Sequence, residues 1–297
     1  MSQHAEHLKP MAHAPLGAPA TAAAPWAAFE APTAEGTVRL WVPGSVRHAA
    51  DAAVALQSCA PLLDALDAWF GFAPAWRWCA PGTPSSGVPA HARATWHREA
   101  STPAAPAGGA GRIDAPAGGA CRVELPWPLL RQLDAPPLPL AAQLHWSAAP
   151  ATLVLAQLQL DEVELESMEP GGAVLLPCSM SAPWHGWLRA ADEGAAAGSG
   201  LPVLLASPWQ AQPLAPSDRA APAERSDPGL YEVRLSLPRP FDAAQLAGWV
   251  SADPGEPEAR ASLWRCAGDG GSARYLASGA LMPWGDGWAL HLETLAD

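Results

Sequence analysis

The stretch LVLAQLQLDEVELESMEPGGAVLLPCSMSAPWHGWLRAADEGAAAGSGLPVLLASPW, Leu153 to Trp209, decides how this chain is read. Leu153, Leu155, Leu158 and Leu160 form an apolar run broken only by Gln157 and Gln159, which predicts a strand with at least one buried face. An acidic continuation carries Val163, Leu165 and Met168 on a period near two, with Asp161, Glu162, Glu164, Glu166 and Glu169 forming a solvated face beside them. Pro170-Gly171-Gly172 then forces a turn. Ala173 to Pro177 is a wholly apolar strand, and Trp184 to Leu188 and Leu201 to Leu205 predict two more, separated by a Gly/Ala loop. A strand-rich unit of about 55 residues is marginal alone, because a domain of that size buries only about 60% of its unfolded surface. The rest of the chain is expected to supply a partner.

The candidate partner lies at the C-terminus. Tyr231, Val233, Leu235 and Leu237 alternate as a strand, Phe241 to Trp249 predicts a helical turn, and Asp253-Pro254-Gly255 a reverse turn. Ala259 to Cys266, Ala273 to Met282 and Trp288 to Leu292 complete the order strand, helix, turn, three strands. Residues 153–206 show the same order, so the C-terminal half reads as a diverged tandem repeat. Two copies, each too small to be stable alone, are expected to pair with each other. Residues 210–229, Pro-rich and polar, read as the linker between them.

Upstream, residues 1–36 are Ala/Pro-rich, with scattered His4, His7 and His13, and predict an unstructured segment. Val38 to Val42 alternates as a strand ending at Pro43-Gly44. Ala49 to Phe70 predicts helix, interrupted at Pro61 and closed at Gly71. Trp76 to Trp78 and His91 to His97 read as extended pieces, and residues 100–120 as a low-complexity loop. No Lys-Ser/Thr follows that loop's glycines and no helix opens after them, so it is not a phosphate loop. Cys121 to Leu125 predicts a strand, Trp127 to Leu133 a short helix begun by Pro128, and Leu138 to Trp146 a further strand.

Composition narrows the function classes. The 297 residues carry a net charge of −12, with Lys9 the only lysine among 17 basic residues, so no basic patch is offered to nucleic acid or anionic lipid. No apolar run reaches the roughly 18 residues of a spanning helix and the N-terminus lacks the order of a secretory signal, so a soluble cytoplasmic protein is expected. Cys59, Cys79, Cys121, Cys178 and Cys266 are odd in number, widely spaced and without a CxxC, and read as small buried apolar residues rather than a disulfide framework or zinc site. No GxSxG, HExxH or Cys–His arrangement marks a catalytic centre. His145, His185 and His291 lie in apolar contexts and read as satisfied histidines at the edge of a core. Fifteen tryptophans against four phenylalanines and two tyrosines serve cores first and interface centres second.

LDEVELESMEPGGAVLLP, with the strand before it and GLPVLLASPW after it, resembles the first SpoA module of the type III secretion sorting-platform proteins, the SctQ (YscQ/HrcQ) family, especially its plant-type branch. LLDALDAWFGFAPAWRW at 62–78 is similar to that family's N-terminal signature. VELPWPLLRQL at 123–133 fits the segment leading into the SpoA region, and ASGALMPWGDGWALHLETLAD resembles the end of a SpoA domain. The resemblance implies an α+β chain: an N-terminal α/β-type domain at 37–148, a first SpoA module at 150–209, a linker at 210–227 and a second, divergent module at 228–297. It departs from the family pattern at Glu256 to Arg260, which stand where an apolar strand usually follows. The resemblance implies core and pairing roles for Leu165, Pro170, Gly171, Gly172, Val174, Leu175, Leu176, Val203, Leu205, Leu246, Trp249, Leu263, Leu281, Trp288 and Leu290. Trp184, Trp187 and Trp284 are the candidates for a partner groove.

The implied function is that of a cytoplasmic adaptor at the base of the secretion apparatus, similar to flagellar FliM and FliN. It would link the basal-body adaptor (SctK-type) to the ATPase stator (SctL-type), and indirectly to the export ATPase, receive chaperone-bound cargo and self-associate, with the membrane reached only through partners. No cofactor, metal or catalysis is implied. The rivals are a flagellar switch component and a degenerate CheC-like phosphatase. The phosphatase would need a Glu and Asn pair on a helix, and the chain contains no asparagine.

Overall fold

Two apolar runs meeting near Pro61 make the longest helices among the described residues. In the computed structural model, which describes residues 26–44, 46–79, 91–97, 120–191, 200–214, 230–250, 260–266 and 273–296, they are α1 (Ala49–Ser58) and α2 (Ala60–Phe70). The helices bend by 72° at their junction, where Cys59 leaves the helical region and Pro61 restarts the next helix from its first turn. α2 buries Leu62, Leu66, Trp69 and Phe70, one stripe at helical spacing. It ends at Gly71, whose φ of 73° is the left-handed cap geometry that glycine adopts without strain. Among the described residues no single helix is long and apolar enough to cross a membrane; α1 and α2 reach that length and composition only as this bent pair.

That stripe lies on a six-stranded sheet made of β1 (Trp26–Thr33), β2 (Gly36–Pro43), β3 (Arg77–Cys79), β4 (His91–Trp96), β5 (Cys121–Pro126) and β6 (Leu144–Trp146), in the order β3-β1-β2-β5-β4-β6. Every pairing in it is antiparallel, so the N-terminal part is α+β rather than the expected α/β type. α3 (Trp127–Gln132) and α4 (Leu138–Ala141) follow β5. The strand expected over Leu138 to Trp146 is therefore a helical turn begun at Leu138-Pro139 and a three-residue strand, because proline favours a first helical turn and donates no ladder hydrogen bond. β1 occupies 26–33, inside the stretch expected to be unstructured. Ala27, Phe29 and Ala31 alternate inward there and pair with β2 along its whole length.

The second sheet has nine strands: β7 (Ala151–Gln159), β8 (Ala173–Ser179), β9 (Trp184–Ala190), β10 (Leu201–Ser207), β11 (Gln210–Pro213), β12 (Leu230–Ser236), β13 (Arg260–Arg265), β14 (Arg274–Trp284) and β15 (Gly287–Leu295). Their order is β11-β10-β9-β7-β12-β13-β14-β15-β8, antiparallel throughout. Two short helices follow the first strand of each half, α5 (Glu162–Glu166) and α6 (Ala243–Leu246). The acidic segment expected to be extended is thus helical at α5. The Asp161 carboxylate accepts from the Glu164 amide at 2.7 Å and the Glu164 carboxylate accepts from the Asp161 amide at 2.8 Å. This reciprocal box outweighs the alternation of Val163 and Leu165. The first residues of the expected linker form β11, and positions 215–229 lie outside the described residues. So do His4, His7 and His13, nearly all of the 100–120 loop, the Gly/Ala loop and the turn at Asp253.

The two halves meet at β7 and β12, paired from Leu230↔Gln159 to Ser236↔Thr152 with one bulge. Outward from that seam, β9, β10 and β11 on one side mirror β13, β14 and β15 on the other. β8 breaks the mirror. It belongs to the first half by sequence but hydrogen-bonds to β15 of the second, with Ala173↔His291, Val174↔Leu290 and Leu175↔Ala289. The Pro170-Gly171-Gly172 turn delivers it there, Gly171 taking a φ of 93°. The Gly171 amide donates to the Leu292 carbonyl and the Leu292 amide to the Gly172 carbonyl, both at 2.8 Å. One continuous apolar core runs through both sheets.

Candidate partner-binding site

The seam is held by apolar burial and by a buried ionic cluster. Leu153, Leu155, Val233, Leu235 and Leu263 are fully buried on one face, each contributing about 1.5–3 kcal/mol relative to exposure. On the other face Glu232 of β12 receives the Arg189 Nη2 of β9 at 2.8 Å, the Gln157 amide of β7 at 3.2 Å and the Arg234 Nε at 2.9 Å. Arg234 Nη2 adds a contact of 2.7 Å to the same carboxylate, and its guanidinium stacks 5.0 Å over the Trp264 ring. Arg189 and Glu232 are both 0% exposed. Burial alone would raise the Glu232 carboxyl. The charges of Arg189 and Arg234 and the hydrogen bonds from Gln157 and Arg234 outweigh it, and hold the group below the ordinary carboxylate range.

Beside the seam opens a groove of about 670 Å³, and its origin is a gap in strand pairing. β7 pairs with β9 only over Ala151 to Val154, where Trp184 donates its indole N–H to the Leu155 carbonyl at 2.9 Å. Beyond that point the outer edge of β7 faces β8 across the gap. The walls are Gln157 to Leu160, Glu164, Ser167 and Met168 on one side and Gly172 to Pro177 on the other, with Leu230 and Leu292 from the second half. Such a groove offers strand edges and apolar side chains to an extended or helical segment. Leu175, which lines it, is 58% exposed, and Val163 on α5 is 74% exposed.

The sequence candidates distribute over these features. Val174 and Leu176 point into the core while Leu175 points out. Val203, Leu205, Leu246, Leu263, Leu281 and Leu290 are buried, Leu165 and Trp288 half-buried, and Pro170 and Gly171 exposed at the turn. Gly172 adjoins Leu292. Trp249 packs away from the seam, edge-on to Trp69 and Trp146 of the N-terminal part at 5.7 and 6.0 Å. Trp184, Trp187 and Trp284 do not line the groove. Trp284, 53% exposed, sits at the β14–β15 hairpin instead. Sequence reading missed Arg189, Glu232 and Arg234, and the groove wall given by α5.

The remaining polar groups take supporting places. Burial raises the Cys79 and Cys178 thiols, and burial together with the Glu232 charge pushes Cys266 up to about 12, which keeps these thiols protonated at neutral pH. Cys59 and Cys121 sulfurs lie 3.2 Å apart, both buried. His145 is exposed and stacks edge-on to His97 at 4.9 Å, His185 is exposed and His291 half-buried. Among the described residues no group of three or more His, Cys, Asp or Glu could hold a metal ion. Comparison with protein-family models, with curated proteins and with solved structures finds no match to this chain.

Proposed function

We propose that this chain is a non-enzymatic adaptor of a type III secretion sorting platform, of the SctQ kind, whose C-terminal halves are two SpoA modules paired within one polypeptide. The observation that carries the reading is the exchange of β8, which leaves its own half to hydrogen-bond β15 of the other. Strand-swapped pairing of tandem modules is what the resemblance of LDEVELESMEPGGAVLLP implies. Two interlocked halves make one sheet, and α1 and α2 belong with the other, six-stranded one. A chain with two such sheets suits a bridge, with the paired halves engaging the ATPase stator and the N-terminal sheet engaging the basal-body adaptor.

Co-purification with SctL-type stator and SctK-type adaptor proteins tests this. The full chain should retain both. A chain ending at Pro228 loses β12 to β15, strips β8 of its partner strand, and should lose the stator while keeping the adaptor if it stays soluble. A full chain that captures neither protein would refute the reading, and a soluble 1–228 fragment with unimpaired stator binding would move that site out of the paired halves.

A further inference from the structure

The two C-terminal halves are repeats, and one of them leaves uncovered what the other buries. Asp161 with Glu164, and Asp242 with Gln245, close the same reciprocal box at the same offset of 81 positions. Under that offset the central pairs of the seam, Leu153↔Leu235 and Val154↔Arg234, exchange with each other, so the seam is a pseudo-two-fold axis. The axis matches Leu165 to Leu246 and Met168 to Trp249.

Around α6 these positions are occupied. Leu246 is 0% exposed. Trp249 lies against Trp69 and Trp146 and donates its indole N–H to the Leu133 carbonyl at 2.8 Å. Arg131, at the end of α3, donates from Nε to the Leu246 carbonyl at 3.3 Å. The cover is thus the arginine-bearing end of a short helix, backed by the aromatic rings of Trp69 and Trp146. Around α5 none of the five helical residues is buried. Leu165 and Met168 are half-buried, and Met168 lines the groove opposite Leu175. The chemistry of the frame also differs. α6 opens with Ala243, Ala244 and neutral Gln245, whereas Asp161, Glu162, Glu164, Glu166 and Glu169 surround α5. A second copy of a chain carrying −12 is a poor electrostatic match to that frame, and a cationic helix is a good one.

We propose that the α5 side of this groove is a docking site for a basic amphipathic helix of a partner protein, seated on α5 as α3 is seated on α6. A Leu or Trp row would pack on Leu165 and Met168. An Arg or Lys would reach the Leu165 carbonyl and the carboxylates beside it. The inference rests on the internal repeat and stands whether or not the secretion reading holds.

The probe is a fluorescent, side-chain-stapled peptide copying residues 126–136 with Gln132→Arg and Asp134→Arg, titrated into the full chain by anisotropy. A counterpart with Arg131→Glu and Gln132→Glu is the control. The basic peptide should bind saturably and the acidic one should not. Val163→Glu with Met168→Glu should weaken binding about tenfold or more, the equivalent of about 1.4 kcal/mol, and Val163→Glu alone, at an exposed position, should leave the thermal midpoint unchanged. Glu162→Gln, Glu166→Gln and Glu169→Gln together should weaken binding and flatten its salt dependence. Met168→Trp, which restores the residue found at the occupied site, should tighten it. Equal binding of both peptides, insensitivity to the Val163 and Met168 changes, or a Met168→Trp chain that binds no more tightly would overturn the proposal. It is also overturned if Val163→Glu with Met168→Glu lowers the sedimentation mass of the chain alone, which would make a second copy the occupant. Tighter peptide binding after deletion of residues 1–25 would overturn it too, making the chain's own N-terminal segment the occupant.

Discussion

Replacing Glu232 by Gln tests the physical account of the seam. The carboxylate accepts two contacts from Arg234, one from Arg189 and one from Gln157, and it is the negative partner of two buried guanidiniums. Gln keeps the shape and one acceptor oxygen but turns an NH2 donor toward guanidinium donors, and it leaves Arg189, 0% exposed, without a counter-charge. Removing one member of a buried ion pair costs about 3–5 kcal/mol. That is a large part of a typical domain stability of about 5–15 kcal/mol.

Urea unfolding followed by tryptophan fluorescence at pH 7 should show a lower midpoint for Glu232→Gln. A triple change to Arg189→Met, Glu232→Leu and Arg234→Met should recover most of the loss, because it removes the charges together with their desolvation cost. The pH dependence has a definite sign. A carboxyl held below its ordinary range adds stability that is fully present above that range and is lost as pH falls through the folded-state value. Wild type should therefore lose stability on acidification below the ordinary carboxylate range, with a component that Glu232→Gln lacks. A Glu232→Gln chain within 1 kcal/mol of wild type, with the same acid profile, would refute the argument.

The remaining expectations concern strand geometry. Leu176→Asp places a charge at a position 6% exposed and should cost several kcal/mol or abolish soluble expression. Leu175→Asp, on the outward face, should stay within about 0.5 kcal/mol of wild type in thermal denaturation, and equal damage from both changes would mean β8 is not seated as described. Gly279→Ala would put a Cβ on the His291 carbonyl oxygen, so its melting temperature should fall by several degrees, since about 1 kcal/mol moves a domain of this size by roughly 2–4 °C.

Much of the fold was legible because the buried strands alternate. Tyr231, Val233 and Leu235, or Leu201, Val203 and Leu205, leave little choice of register against a core. The misses have specific causes. β1 is built on Ala27, Phe29 and Ala31, and alanine contributes too little apolar contrast to reveal a period. β11 is a four-residue edge strand of polar composition, which imitates a linker. At α5 two signals conflicted. The D-x-x-E box of Asp161 and Glu164 was present in the sequence, and local hydrogen bonding prevailed over the two-residue period of Val163 and Leu165. The ionic cluster was hidden for a different reason. Alternation assigns Glu232 and Arg234 to the face opposite Val233 and Leu235, and only the burial of Arg189 and Glu232 there, with Trp264 against Arg234, shows that it is dry. Which strand lies on β15 depends on contacts between distant segments, and no local pattern in β8 specifies it.

The placement of β8 also sets the order of events during synthesis. Ala173 pairs with His291, roughly 120 positions further along the chain. At about 5–20 residues per second, β8 leaves the ribosome between roughly 6 and 25 s before its partner strand exists. For that interval the segment Ala173-Val-Leu-Leu-Pro177 is an apolar edge with nothing to pair with, the kind of surface that recruits other nascent chains. Such non-local pairing also slows folding itself, since loop closure precedes any gain from contact. The interlock that joins the halves in the finished protein therefore makes the nascent chain vulnerable until β15 is translated. A chain truncated anywhere before β15 leaves β8 without its partner strand, so premature termination yields a product with an open apolar edge.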